Sequence, residues 1–238
     1  MLYKDLQFLP PHERPFFYTN FVATIDGKVM VLTSSESYWP IGSSIDHEVL
    51  VELRACADLL IHGKNTALWY RALNSLEKES FKNARKLQGK APDLPYLVIS
   101  NTPDDRLIRY LDSKDKQKPF LVTSENAYVS DELAQIVQLI RCGENKVDLQ
   151  GLVSLLQERG FKNVLVEGGP TVLGAFFAHD FIDEIFLTIA PKIFGNSRNA
   201  ALTMVEGYLF PPDKIKKCEL LSVKQVGNEL FLHYKVLR

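Results

Sequence analysis

The sequence is short of cysteine, of net charge and of long apolar runs, and each shortage removes a class of protein. Its 238 residues hold three cysteines, Cys56, Cys142 and Cys218, far apart and without a C-x-x-C pair. That argues against a disulfide framework or a zinc site and for reduced thiols in a cytoplasmic protein. The zinc-deaminase signature H-x-E…P-C-x-x-C is missing. His12, His47, His179 and His233 show no metal spacing with one another, so no metal is expected. No run approaches the ~20 apolar residues of a membrane helix. The N-terminal "MLYKDLQFLPPHERPFF" carries early charges and no apolar h-region, so it does not read as a secretory signal. Lys and Arg number 28 against 29 Asp and Glu, a net charge of −1, which removes the electrostatic case for a nucleic-acid partner. No solenoid-period repeat occurs. Neither G-x-G-x-x-G nor G-x-x-x-x-G-K-[ST] is present.

What remains is a chain with 46% apolar residues, enough for a proper core, in a length that suits one domain. Residues 1–15 read as an N-terminal extension. "RPFFYTNFVATIDGKV" is aromatic and β-branched and predicts a strand from about Phe16 to Ala23, broken at Asp26-Gly27. "SSIDHEVLVELRACA" opens with good N-caps and places Ile45, Val49, Leu50 and Leu53 at helical spacing. "DLLIHG", "PYLVIS" and "PFLVTS" are apolar without alternation, as interior parallel strands are. "TALWYRALNSLEKESFKNARKL" is mostly helix-forming, and residues 88–95 read as a surface loop. "DLQGLVSLLQERG" is a helix stopped by Gly160. "FIDEIFLTIAPKIFG" is a long strand broken at Pro191, and the last twenty residues are two β runs around Val-Gly-Asn-Glu. Strands and helices alternate first and a β-rich segment closes the chain. The expected class is α/β, a mainly parallel central sheet flanked by helices with antiparallel C-terminal strands.

Three stretches carry candidate chemistry. In "NVLVEGGPTVLGAFF" a strand ends in Glu167 and turns into a helix through Gly168, Gly169, Pro170 and Thr171. Glycines let a ligand approach the backbone, and proline suits a first helical turn. The open N–H groups of that turn, with the helix dipole, favour a phosphate. A carboxylate ending an interior strand has to be solvated or paired, and a cleft explains it most simply. In "LLIHGKNTA" a second strand ends at Gly63, with Lys64 and Thr66 at the next helix start. In "FVATIDGKVM", Asp26-Gly27-Lys28 puts two charges after the first strand. Bland readings stay open for each: a tight turn without ligand, a capped helix with a solvated lysine, a hairpin tip. His62 reads as a structural histidine with its hydrogen bonds satisfied.

Together and in this order, these stretches resemble the reductase domain of riboflavin biosynthesis, which has the dihydrofolate-reductase-like fold. The residues that carry the resemblance are Thr24 to Lys28, Leu53-Arg54-Ala55, Gly63 with Thr66, Val166 to Thr171, Asp183-Glu184, and Ile189 to Lys192 with Gly195. It spans roughly residues 16 to 236. The resemblance implies NADPH-dependent reduction of 5-amino-6-(5-phosphoribosylamino)uracil, whose ring-opened ribose imine accepts hydride. It implies cofactor contacts at Gly63, Lys64, Thr66, Ser100, Gly168, Gly169, Pro170 and Thr171, with Ser100 near the adenosine end. Lys28 and Glu167 become the residues at the reacting centre, and Asp26 and Arg71 substrate contacts. A homodimer is implied, with the long strand from Phe181 near the subunit contact.

One departure stands out. The family's bacterial members continue with acidic residues and a proline where this chain has Trp69, Tyr70 and Arg71. The deaminase half that many of them carry is not in this sequence, so a stand-alone reductase is expected. Two further readings stay open: a reductase of another pterin- or pyrimidine-like compound, and a non-catalytic nucleotide-binding protein on the same fold.

Overall fold

The structure is a computed structural model that describes residues 2–3, 6–31, 41–69, 76, 78–111, 118–197 and 201–238. Nine strands form one sheet. Across it they are β10 (Lys217–Val226), β11 (Glu229–Leu237), β8 (Ile182–Ala190), β1 (Phe16–Thr24), β7 (Asn163–Gly168), β3 (Leu59–Gly63), β4 (Tyr96–Ile99), β5 (Phe120–Thr123) and β6 (Gln138–Arg141). From β8 to β6 every neighbouring pair is parallel. β11 and β10 run antiparallel, joined across Gly227 and Asn228 as a hairpin. Two short strands, β2 (Met30–Val31) and β9 (Ala201–Leu202), pair apart from it. This is the mainly parallel α/β sheet with antiparallel C-terminal strands that the sequence predicts. The Asp26-Gly27 turn is not the tip of a hairpin, because β2 pairs with β9 and not with β1. The pattern of "QLIR" gave no strand; β6 is an edge strand with a single buried residue, Ile140, so its signal is weak.

Interior strands are apolar on both faces because helices cover both. On β7, Leu165 joins one core cluster with Val49 and Leu53 of α1 (Ser44–Cys56). Val164 and Val166 join the other, with Leu152 and Leu156 of α6 (Leu149–Glu158) and Leu173 and Phe176 of α7 (Pro170–Ala178). The period of two along the strand thus assigns Glu167 to the α1 side.

The N-terminal segment packs into the α1-side core. The amides of Leu2 and Tyr3 donate to the buried Glu52 carboxylate at 2.7 and 2.8 Å, and Phe8 stacks on Tyr18 with ring centroids 4.3 Å apart.

The end of α1 is held unusually firmly. Ser43 caps its start, accepting from the amides of Ile45 and Asp46. At its end the buried guanidinium of Arg85, from α3 (Glu79–Leu87), donates to the carbonyls of Arg54, Ala55 and Ala57, and its Nε donates to Ala91 at 2.8 Å. Lys90 donates to the Cys56 carbonyl at 2.5 Å and pairs with Asp58 at 2.8 Å. Cations at a helix C-terminus also favour the dipole. Arg85→Met keeps the bulk and strands these carbonyls, so we expect a loss of about 3 kcal/mol in urea unfolding. A loss under about 1 kcal/mol shows that water replaces the guanidinium.

Candidate active site

Parallel strands end at one edge of a sheet, and ligands of open α/β sheets sit there. β1, β7, β3 and β4 are consecutive neighbours. The turn after β1, the two glycine turns after β7 and β3, and Ser100 after β4 therefore form a row. Three strand spacings span about 14 Å, the scale of an extended dinucleotide.

The glycine turns touch. A methyl group on Gly63 would come within 2.8 Å of Val172 Cγ2 and 3.5 Å of the Gly169 amide nitrogen. A Cβ on Gly169 would lie 3.1 Å from Thr66 Oγ1, and one on Gly168 2.9 Å from Phe21 Cζ. Gly168 also has φ +97°, which other residues avoid. The Gly168–Gly169 peptide is cis. Pro170 opens α7, Thr171 is exposed, and no side chain caps the α7 N-terminus. Ser43, Ser130 and Asp148 do cap α1, α5 (Asp131–Ile136) and α6. Pro170 has no N–H and the Val172 amide turns back to the Gly169 carbonyl at 2.9 Å, so Thr171 supplies the amide that this turn can offer a ligand or water.

Glu167 owes its position to a bulge. Ile61 pairs with Val166 but His62 pairs with Gly168, so Glu167 is the extra residue. Its carboxylate is not free. Arg54 Nε donates to Oε1 and Nη2 to Oε2, both at 2.6 Å, in a bidentate pair whose side chains are 11% and 7% exposed. His62 Nε2 lies 3.6 Å from Oε2. Burial, and then Arg54, push the His62 pKa down against the pull of Glu167, to about 4, so the ring is neutral at pH 7. The expectation of a satisfied histidine fails: neither ring nitrogen has a hydrogen-bond partner among the described residues.

The remaining expected residues are drawn into local structure. Asp26 accepts from Thr24 Oγ1 at 2.6 Å and from the amides of Phe194 and Gly195 at 3.3 and 2.8 Å. The Thr24 bond, then those amides, hold its pKa down near about 2. It ties the β1 turn to the loop after β8. Lys28 Nζ donates to the Asp26 carbonyl at 2.7 Å. Lys64 donates to the Thr102 carbonyl at 2.5 Å and pairs with Asp104 at 3.0 Å, so it is not an open cation over the turn. Ser100 is buried and accepts from the Thr102 amide at 3.1 Å. Arg71 and Tyr70 lie outside the described residues, and so does the Trp69 side chain. Arg54 stood in the sequence only as part of a Leu-Arg-Ala triplet; its partner is 113 residues away.

With this geometry in hand, the comparisons are specific. The model of the RibD C-terminal domain matches residues 15–232. The 2,5-diamino-6-ribosylamino-4(3H)-pyrimidinone 5′-phosphate reductase of Archaeoglobus fulgidus is 26% identical over 218 residues, 90% of this chain and 95% of that protein. The protein of the same name from Methanothermobacter thermautotrophicus is 25% identical, covering 94% of this chain and 99% of that protein. A pyrimidine reductase-like protein from Corynebacterium diphtheriae shares the fold with a TM-score of 0.76 at 23% identity, over 94% of this chain and 92% of that one. A family match over this length, on a sheet whose carboxyl edge carries the two glycine turns and Glu167, leaves one assignment: the chain belongs to the RibD C-terminal domain family.

Proposed function

We propose that this chain is an NADPH-dependent reductase of a phosphorylated ribosylaminopyrimidine in riboflavin biosynthesis. The observation that carries the reading is the contact between two glycine turns, one opening an uncapped helix, next to a fixed carboxylate at the same sheet edge. Gly63, Thr66, Gly168, Gly169 and Thr171 hold the pyrophosphate through backbone amides and the Thr66 hydroxyl, while Pro170, which has no N–H, shapes the turn. Ser100 and the 102–106 loop face the adenosine end. There Lys64 and Arg106 both engage Asp104, and both are within reach of that loop to meet a 2′-phosphate. The reduced nicotinamide, when bound, supplies hydride.

The chain's own residues place the acceptor. Glu167 is a fixed anion, since Arg54 occupies both its oxygens, and it orients the amino groups of the pyrimidine as an acceptor. Lys28, released from the Asp26 carbonyl, takes a substrate phosphate or hydroxyl, with Asp26 setting its turn. The relatives' names point to the 2,5-diaminopyrimidinone phosphate, which differs from the uracil compound by an amino group in place of a ring carbonyl.

Among the described residues no helix is long and apolar enough to cross a membrane, and we place the enzyme in the cytoplasm. β8 is interior, flanked by β1 and β11, so it cannot itself form a dimer edge. Exposed Leu220, Leu221 and Val223 on edge strand β10 make that end of the sheet the surface a second copy would cover in a homodimer.

NADPH oxidation followed with three acceptors tests the reading. Turnover with the diaminopyrimidinone phosphate, exceeding that with the uracil analogue and with dihydrofolate, is expected. Binding of NADPH without oxidation by any of them would leave a nucleotide-binding protein instead.

A further inference from the structure

His62 ends β3 beside the charged pair, and the proposed reaction gives it no task. Its side chain is 2% exposed, yet both ring nitrogens lack a partner among the described residues. A buried polar atom left unpaired costs stability, and an aliphatic residue would fill the place without that cost. Glu167 Oε2 lies 3.6 Å from Nε2. That is too long for a hydrogen bond, and a movement of about 0.6 Å closes it. The charged groups facing the ring are Glu167 of β7 and Arg54 of α1. Tyr18 of β1 also lies within the field of Glu167, with its hydroxyl donating to the Leu53 carbonyl at 2.8 Å.

A neutral imidazole has one donor nitrogen and one acceptor nitrogen. A lone pair on Nε2 would meet a carboxylate oxygen with repulsion; a proton there meets it with attraction. We propose that His62 is a positioning residue for Glu167, carrying its single proton on Nε2 and supplying a second donor beside Arg54 that fixes the direction of the carboxylate. The role rests on the reductase reading for its consequence, since a directed Glu167 is what the pyrimidine needs. The contact itself does not depend on that reading.

Two experiments on the full chain separate them. Nitrogen-15 NMR of the uniformly labelled wild type, with the His62 ring assigned from its backbone connectivities, reads the tautomer without any substrate or variant. The expected spectrum shows the proton on Nε2 from pH 8 to 6. A proton on Nδ1 overturns the proposal. Kinetics then compare His62→Leu, which keeps bulk and loses the donor, with His62→Gln, which restores an N–H. The leucine variant is expected to lose about tenfold in kcat, one hydrogen bond to a charged group, at unchanged KM for NADPH. Glutamine is expected to recover most of it. Equal turnover in leucine and wild type, or no recovery with glutamine, rejects the positioning role. If neither variant folds, the tautomer decides alone. A wild type inactive on every pyrimidine tested sinks the reductase reading, and the tautomer still tests the contact.

Discussion

Glu167→Gln is expected to lose more than about tenfold in turnover, because the proposed function sets its charge against the substrate, and also to unfold more easily. The second half differs from what the sequence predicts, where Glu167 looks like a cleft carboxylate whose neutral analogue leaves the protein folded. In the structure its charge balances Arg54 through two 2.6 Å hydrogen bonds, with little of either side chain in water. Removing one partner of a buried pair takes two charge-assisted hydrogen bonds from the other. A loss of about 2–4 kcal/mol follows, below the upper limit because both groups keep some solvent contact. The double variant Glu167→Gln/Arg54→Met removes the guanidinium as well. It is expected to regain most of the stability and none of the turnover. Denaturant unfolding and steady-state NADPH oxidation read the two halves separately. A single variant as stable as wild type would mean that Arg54 finds another acceptor at no cost.

The second large effect is on pH dependence, and two groups pull in opposite directions. His62 titrates near about 4 in the folded chain against 6.5 unfolded. Between those values the unfolded state binds more protons. His62 therefore contributes full stability above pH 6.5 and loses it as pH falls toward 4, by about 3 kcal/mol in all. Asp46, half-buried in α1, is raised from 3.8 to about 6, chiefly by burial and further by Glu229 against a Thr188 hydrogen bond. Its folded state binds more protons between those values. Asp46 therefore weakens the fold as pH rises from 3.8 to 6, by a similar amount. These two contributions nearly cancel in the wild type. The stability difference between wild type and His62→Leu shows the histidine alone: wild type loses about 3 kcal/mol relative to the leucine variant from pH 7 to pH 4. Asp46→Asn gains stability at pH 7 and becomes acid-sensitive. A wild-type-to-leucine gap that does not change with pH would show that His62 is not held neutral by burial.

Particular residues show what could be read from the sequence. The apolar runs of β3, β4, β5 and β7 are buried on both faces, so continuous hydrophobicity marked them. Gly168, Gly169 and Gly63 were visible because a strand that meets glycine at its end is a local signal. The pairing partners were not local. Arg54 reaches Glu167 across 113 positions, and Lys64 reaches Asp104 across 40. The first pairing depends on which face of β7 looks toward α1, and only the packed sheet settles that. Lys28 shows the converse: it donates to the carbonyl of Asp26, two residues back, so a residue expected at the reacting centre closes its own turn in the free protein. The N-terminal strap escaped notice because Tyr3 and Phe8 are scattered among charges, and only the tertiary fold brings their rings onto Tyr18 and Phe186.

The central claim is that the touching turns at Gly63–Thr66 and Gly168–Thr171 take the pyrophosphate of a nicotinamide dinucleotide. A crystal structure grown with NADPH tests it most directly. Density for both phosphates within hydrogen-bonding distance of those amides, with the nicotinamide ring on the side of Glu167, is the expected result. NADPH bound at another edge of the sheet, with these two turns closed over by their own side chains, would contradict it.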